Sequence, residues 1–296
     1  MENNKGFFTQ ELDKTEDNPA GLFFIQLLFE QECEFPPQEK MKEILEKHLG
    51  KIDNMKFNSG LISFAPQDYC IEYEDKKIPP LLQAVRSKFP ENIEIDDLTR
   101  SQMWDCPEHD EIIGKCRFHI MAFDMLSSMM NENYKERADM LMNYTDALVE
   151  MFPECTAVFF KSSGKLISRE KYINAGVPEN YRFIFHAVNI RFFNIQGTKD
   201  MMVDTLGMSI LSLPDLQYHF HGLDPNDVVN HALNVLIYIY EKNCPIKNGH
   251  SIDGFKKTLI SGKYEQWKCQ FENSLIQPIR EVIDINTGKY ASGERR

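Results

Sequence analysis

Histidine and carboxylate side chains crowd into one stretch, VDTLGMSILSLPDLQYHFHGLDPNDVVNHALN, residues 203 to 234. These are the groups that move protons near neutral pH and that ligate metals. If YHFHG is extended, its side chains alternate, and His219 and His221 share one face. Two imidazoles there begin a metal site, with Asp215 or the distant His186 as further ligands. With Asp204 and Asp215 they instead make the acid–base set of a hydrolase. A pair of interfacial histidines beside a glycine turn explains the same residues without chemistry, and no HExxH helix accompanies them.

A second constellation is Cys106, His109, Cys116 and His119, two CxxH pairs in CPEHDEIIGKCRFH. Four such ligands suit zinc if they converge around a turn. KCRFHIMAF reads as a strand, however, and three residues along a strand place Cys116 and His119 on opposite faces. Nucleophilic signatures are absent: no GxSxG elbow occurs, and KSSGKL lacks the leading glycine of a phosphate loop and reads as a hairpin turn. Cys33, Cys70, Cys155, Cys244 and Cys269 sit in or near apolar runs, as inert core thiols do. Trp104 and Trp267 suit partial burial in a core.

The elements that must position these groups follow from hydrophobic period. GLFFIQLLFE reads as a buried strand, and EFPPQEKMKEILEKHLG as a helix begun by Pro36 and Pro37 and stopped by Gly50, with Met41, Ile44, Leu45 and Leu49 inward. GLISFAP and DYCIEYED read as strands and IPPLLQAVRSKF as a short helix. The pattern then restarts with a strand at KCRFHIMAFDM, a helix at NYKERADMLMNYTDALVEMFP, a strand at CTAVFF and a short helix at SREKYINAG. YRFIFHAVNIRFFNI reads as a long strand. In DPNDVVNHALNVLIYIY, Asp224 is a natural N-cap and Pro225 suits the first helical position. Its inward stripe is Val228, Val229, Ala232, Leu233, Leu236, Ile237 and Tyr240, with His231 and Asn234 opposite. The expected fold class is α+β: two packed strand–helix–strand (ferredoxin-like) units with mainly antiparallel sheets, arranged as a duplication. The expected divisions are a tail at 1–20, an N-terminal unit at 21–105, a C-terminal domain at 106–286 and a polar tail at 287–296.

Charge narrows the partners. The 296 residues include 45 acidic and 33 basic side chains, a formal net of −12. Nucleic acid and anionic membranes attract lysine and arginine, and no basic stripe is present, so neither is expected as a partner. The polar, acidic N-terminus lacks a signal-peptide core, and no segment reaches the roughly 18 apolar residues of a membrane span. Seven cysteines without framework spacing suit a reducing compartment, so a cytoplasmic location is expected.

NIRFFNI, MVDTLGMSILSLPDLQYHF, IKNGHSIDGF and WKCQFENSLIQPIREVID, in that order, resemble the bacterial domain-of-unknown-function family 4261. The similarity covers about residues 189–285 and continues more weakly upstream to about 115. It implies a bacterial cytoplasmic protein and brings no activity, catalytic residue or cofactor with it. The expected function is a non-enzymatic protein-binding or regulatory module, inhibitor- or immunity-like, without a cofactor and facing a basic protein partner. The alternative is an enzyme, a hydrolase using Asp204, Asp215, His219 and His221. A third reading is a site for a small apolar ligand between sheet layers.

Overall fold

The computed structural model describes residues 21–73, 75–87, 89–130, 133–257 and 262–293. The expected tail at 1–20 and the last three residues lie outside them. The chain divides into two compact units at Val188/Asn189.

In the first unit the elements run β1 (Phe24–Phe29), α1 (Gln38–Leu49), β2 (Ile52–Asn58), β3 (Leu61–Pro66), β4 (Ile71–Tyr73), β5 (Lys76–Ile78), β6 (Leu81–Arg86), α2 (Asp97–Arg100), α3 (His109–Lys115), β7 (Phe118–Met125), α4 (Tyr134–Met151), β8 (Ala157–Phe160), β9 (Lys165–Ser168), α5 (Arg169–Asn174) and α6 (Arg182–Ala187). β4 and β5 form a small hairpin; the other strands build one antiparallel sheet in the order β2-β3-β6-β7-β1-β8-β9. The two strand–helix–strand passages therefore do not make separate packed units. They merge in one sheet, with β1 and β7 side by side and β6 pairing with β7 across residue 105.

Both faces of that sheet are covered, which is why β1 carries a nearly unbroken apolar run. Helix α1 buries Met41, Ile44, Leu45 and Leu49 at helical spacing and packs on α4. Tyr144 of α4 lies edge-on to Phe64 and donates its hydroxyl to the Gln83 carbonyl at 2.7 Å, and Phe152 meets Phe29. Residues alternate across β1, so Leu28 points to the opposite face, where it joins Phe159, Leu166, Ile112, Ile113, Cys106 and Cys116.

Two segments adopt structures other than those their periodicity suggests. IPPLLQAVRSKF, expected as a helix, is strand β6, with Leu82 and Ala84 buried and β3 and β7 on either side. Ladder partners on both edges outweigh the modest helix preference of Leu, Gln, Ala and Arg. YRFIFHAVNIRFFNI, expected as one strand, breaks at Val188 into α6 and a strand. Phe183, Ile184 and Ala187 are buried at one-turn spacing, and that contact favours the helix.

The second unit contains β10 (Asn189–Asn194), β11 (Met201–Leu206), β12 (Asp215–Phe220), α7 (Pro225–Lys242), β13 (Ser251–Lys257), β14 (Tyr264–Asn273) and β15 (Glu281–Asn286). Its sheet order is β10-β11-β12-β15-β14-β13, with β12 and β15 parallel and the other pairs antiparallel. The whole is thus mixed α+β with mainly antiparallel sheets, and the two sheets have different strand orders. Asp224 caps α7, accepting from the Asn226 N–H at 2.9 Å, with Pro225 in the first turn. The buried stripe of α7 is Val228, His231, Ala232, Val235, Leu236, Ile239 and Tyr240. The helix is thus rotated from the expected stripe, and His231 faces inward. Residues 287–293, expected as a loose tail, return to the sheet: Ala291 bridges Phe220, and the Ser292 N–H donates to the His219 carbonyl at 2.9 Å.

Trp267 of β14, 1% exposed, lies over Gly254 of β13, where an added Cβ would stand 2.6 Å from the indole Cε2. A glycine permits this close approach of ring to backbone. Gly254→Ala is expected to cost about 1–3 kcal/mol by forcing the indole off its seat. Urea denaturation followed by tryptophan fluorescence measures it, and an unchanged midpoint would refute the packing role.

Candidate functional site

Tyr218 faces α7, where its hydroxyl lies 2.9 Å from His231 Nδ1. By alternation Asp215, Gln217 and His219 point to the other face of the sheet. Strand register extends that face into a row. Arg191 of β10 stands opposite Asp204 of β11, Asp204 opposite Gln217 of β12, Gln217 beside Asp284 of β15, and Asp284 opposite Gln270 of β14. Arg191, Asp204, Gln217 and Asp284 are each at most 3% exposed, as is Glu272. Buried charges persist only when paired and hydrogen-bonded, and at the Arg191 end of the row that demand is met.

Asp204 receives a two-pronged contact from Arg191, Nε to Oδ1 at 2.8 Å and Nη2 to Oδ2 at 2.6 Å. Arg280 then joins the two candidate acids: its Nη2 donates to Asp204 Oδ2 at 2.8 Å and its Nε to Asp215 Oδ2 at 3.2 Å. The same guanidinium donates to the carbonyls of Thr205, Ile276 and Pro278. Asp215 also accepts from the Thr205 hydroxyl and from the N–H groups of Gly207 and Met208. Burial holds its carboxyl above the ordinary carboxylate range, although Arg280 and these donors pull it down. Gln217 donates to Glu272 Oε1 at 2.9 Å and accepts from the Leu275 N–H at 2.7 Å. The loop 274–280 is thus pinned over the row, with the Gln277 carbonyl on Arg191 and a cis Gln277–Pro278 bond within it.

Asp204 and Asp215 are therefore brought together, through a shared arginine and away from solvent. His219 and His221 gather elsewhere. His219 Nε2 lies 3.7 Å from Asp200 Oδ2, and His221 Nδ1 lies 3.1 Å from Ser292 Oγ. Ser292 donates to Asp200 Oδ1 at 2.8 Å. A serine nucleophile must give its proton to the histidine; here the hydroxyl proton goes to the carboxylate instead. His186 belongs to the first unit.

Cys106, His109, Cys116 and His119 do not form a knuckle. Cys106 and Cys116 are fully buried in one apolar cluster, and burial pushes the Cys106 thiol up to about 12. His109 starts α3 and turns its Nδ1 to the Cys106 carbonyl at 2.9 Å, while His119 lies within β7. Cys116 is the cap residue that ends α3 and lies before β7, so the expected alternation of Cys116 and His119 along one strand does not apply. Among the described residues no group of three or more His, Cys, Asp or Glu side chains is arranged to hold a metal ion. Burial also raises Cys155 and Cys269 to about 12 and Cys33 and Cys244 to about 11, so these sulfurs remain thiols near neutral pH.

Sequence reasoning missed Arg191, Arg280, Gln217, Glu272 and Asp284. The available signal was a charged or amide residue at the centre of otherwise apolar strands: NIRFFN, MMVDTL, DLQYHF and EVIDIN. Helical periodicity likewise puts His231 on the outer face, whereas it is buried. Its Nε2 lies 2.7 Å from the Asp253 carbonyl, which only an N–H can satisfy; burial favours the neutral ring, whose Nδ1 then accepts from the Tyr218 hydroxyl. The ring is a neutral, fixed tautomer.

Residues 204–286, spanning β11 to β15, match the family model described as Domain of unknown function (DUF4261). No curated protein and no solved structure matches the chain. The phrase DTLGM…LPDLQYHF, which carried the resemblance, contains Asp204, Thr205, Asp215 and Gln217 of the buried network. No helix among the described residues is long and apolar enough to cross a membrane.

Arg280→Met removes the cation shared by two buried carboxylates, and a loss of about 3–5 kcal/mol is expected in chemical denaturation. A loss below about 1 kcal/mol, the size of an exposed pair, would show that the network is not dry. Burial lowers the His231 pKa below its ordinary 6.5, so its contribution is complete above that value and lost as pH falls toward the folded pKa. A long-range ¹⁵N–¹H spectrum at pH 7.5 should show His231 as the neutral Nε2–H form; an imidazolium signal would contradict the hydrogen-bond assignment.

Proposed function

We propose that this chain is a non-enzymatic protein-binding or regulatory module of the bacterial cytoplasm, one that masks or controls a partner rather than transforming a substrate. The carrying observation is the condition of Asp204 and Asp215. Both are 0% exposed, and both are committed to Arg280. A general acid or base must reach the proton it moves, directly or through one water. The hydrolase reading, with Asp204, Asp215, His219 and His221 in acid–base roles, would have to open a buried ion pair on every turnover.

The formal charge of −12 favours a basic protein partner, because complementary charge steers encounter and rejects wrong partners. Nucleic acid and anionic membrane are disfavoured by the same sign of charge. Seven free cysteines accord with a reducing compartment. Inhibitor and immunity-like roles use such charge complementarity, and that comparison is by analogy of charge alone.

Affinity capture from the native host, followed by titration of the purified partner against this chain, tests the reading. A one-to-one complex with a basic protein, weakening several-fold as ionic strength rises, is the expected outcome. Failure to recover any reproducible partner that binds directly would overturn it, as would turnover of a substrate abolished by Asp204→Asn in a folded variant.

A further inference from the structure

The first unit carries a cleft of about 510 Å³, within the size range of small-molecule sites, whose walls include Val149, Arg169, Tyr172, Val177, Arg182 and His186. Its charges are unevenly committed. Arg182 is spent on Asp146 at 2.5 Å, Asn143 at 2.7 Å and Glu179 at 3.0 Å. Glu150 is spent on Lys47 at 2.7 Å and on His48. Arg169 is different. Its side chain has no ion pair or hydrogen bond within the described residues, and its Nε is buried without a partner.

His186 is the second uncommitted group. It is 5% exposed, its ring lies 4.5 Å from that of Tyr172, and no hydrogen bond to it forms within the described residues. The ring lines the cleft, so a bound molecule can reach it. Burial, with Lys165 and Arg182 nearby, pushes its pKa down to about 4. At neutral pH the ring therefore offers one donor and one acceptor and adds no second positive charge.

We propose that this cleft binds a small organic carboxylate, with the anionic group on Arg169, a polar contact to His186, and the carbon skeleton against Val149, Ile173 and Val177. A planar guanidinium matches a carboxylate in two-pronged fashion. The nearby carboxylates of Asp146, Glu150 and Glu179 favour a single negative charge over the double charge of a phosphate, since like charges close by are repelled. The site is independent of the protein-binding reading, shares no residue with the buried row, and lies outside the segment that matches the family model.

The test uses the full chain with ¹⁵N-labelled histidine, titrated with benzoate or pentanoate, with benzamide as uncharged control and inorganic phosphate as competing anion. Saturable displacement of the His186 ring signals by a carboxylate is expected, with binding at least roughly tenfold weaker for benzamide, about the worth of one charge-assisted contact. Arg169→Gln should remove the preference for the carboxylate over the amide, and Arg169→Lys should keep part of it. Circular dichroism on each variant establishes that it is folded. No saturable shift with either carboxylate, equal binding of benzamide, tighter binding of phosphate, or a preference that survives in folded Arg169→Gln would each overturn the proposal.

Discussion

The guanidinium of Arg280 closes the second unit. It stands between Asp204 and Asp215, two carboxylates without solvent, and its remaining donors are taken by backbone carbonyls. An ion pair in a dry interior forces geometry, because each misplaced donor leaves a desolvated charge. The register of β10, β11 and β12, the parallel placement of β15 and the path of loop 274–280 must all be right at once. Slipping β11 by one residue would turn Asp204 toward α7 and Val203 toward the arginines. In such a layer desolvation offsets much of the Coulomb gain, so the net stabilisation is smaller than the number of contacts suggests.

Buried cations tie the first unit together in the same way. Arg137 of α4 reaches Asp124 at the end of β7, the Ser127 hydroxyl and the Gly21 carbonyl. Lys165, at the start of β9, directs its ammonium to the carbonyls of Phe185 and Val188 and to Asp105. These contacts fix chain ends and helix ends that hydrophobic packing, being non-directional, would leave free to shift. In KSSGKL the lysine therefore anchors a hairpin to the end of α6.

Several residues of the 204–286 segment hold the second unit together. Asp204, Asp215 and Gln217 hold strands together, and Gly254 admits the indole of Trp267. A carboxylate that already has its arginine is poorly placed to act on a substrate. Arg169 and His186 of the cleft lie instead on α5 and α6 of the first unit, where the sequence shows only REKYIN and RFIFHA.

Periodicity by itself determined the helices at 38–49, 134–151 and 225–242, the cap at Asp224 and the buried strand at 24–29, because each depends on side chains within a turn or two of one another. It also gave the α+β class. Tertiary structure decided whether 81–86 is helix or strand, since the deciding hydrogen bonds come from β3 and β7. It turned His231 inward through Tyr218 and Asp253, and it split the run from Tyr181 to Ile195 at Val188. It also decided what the aspartates are for. Asp204 finds Arg280 76 residues away, and no local spacing marks that pair. A charged residue's role depends on which partner burial brings within about 3 Å, and only the folded chain fixes that.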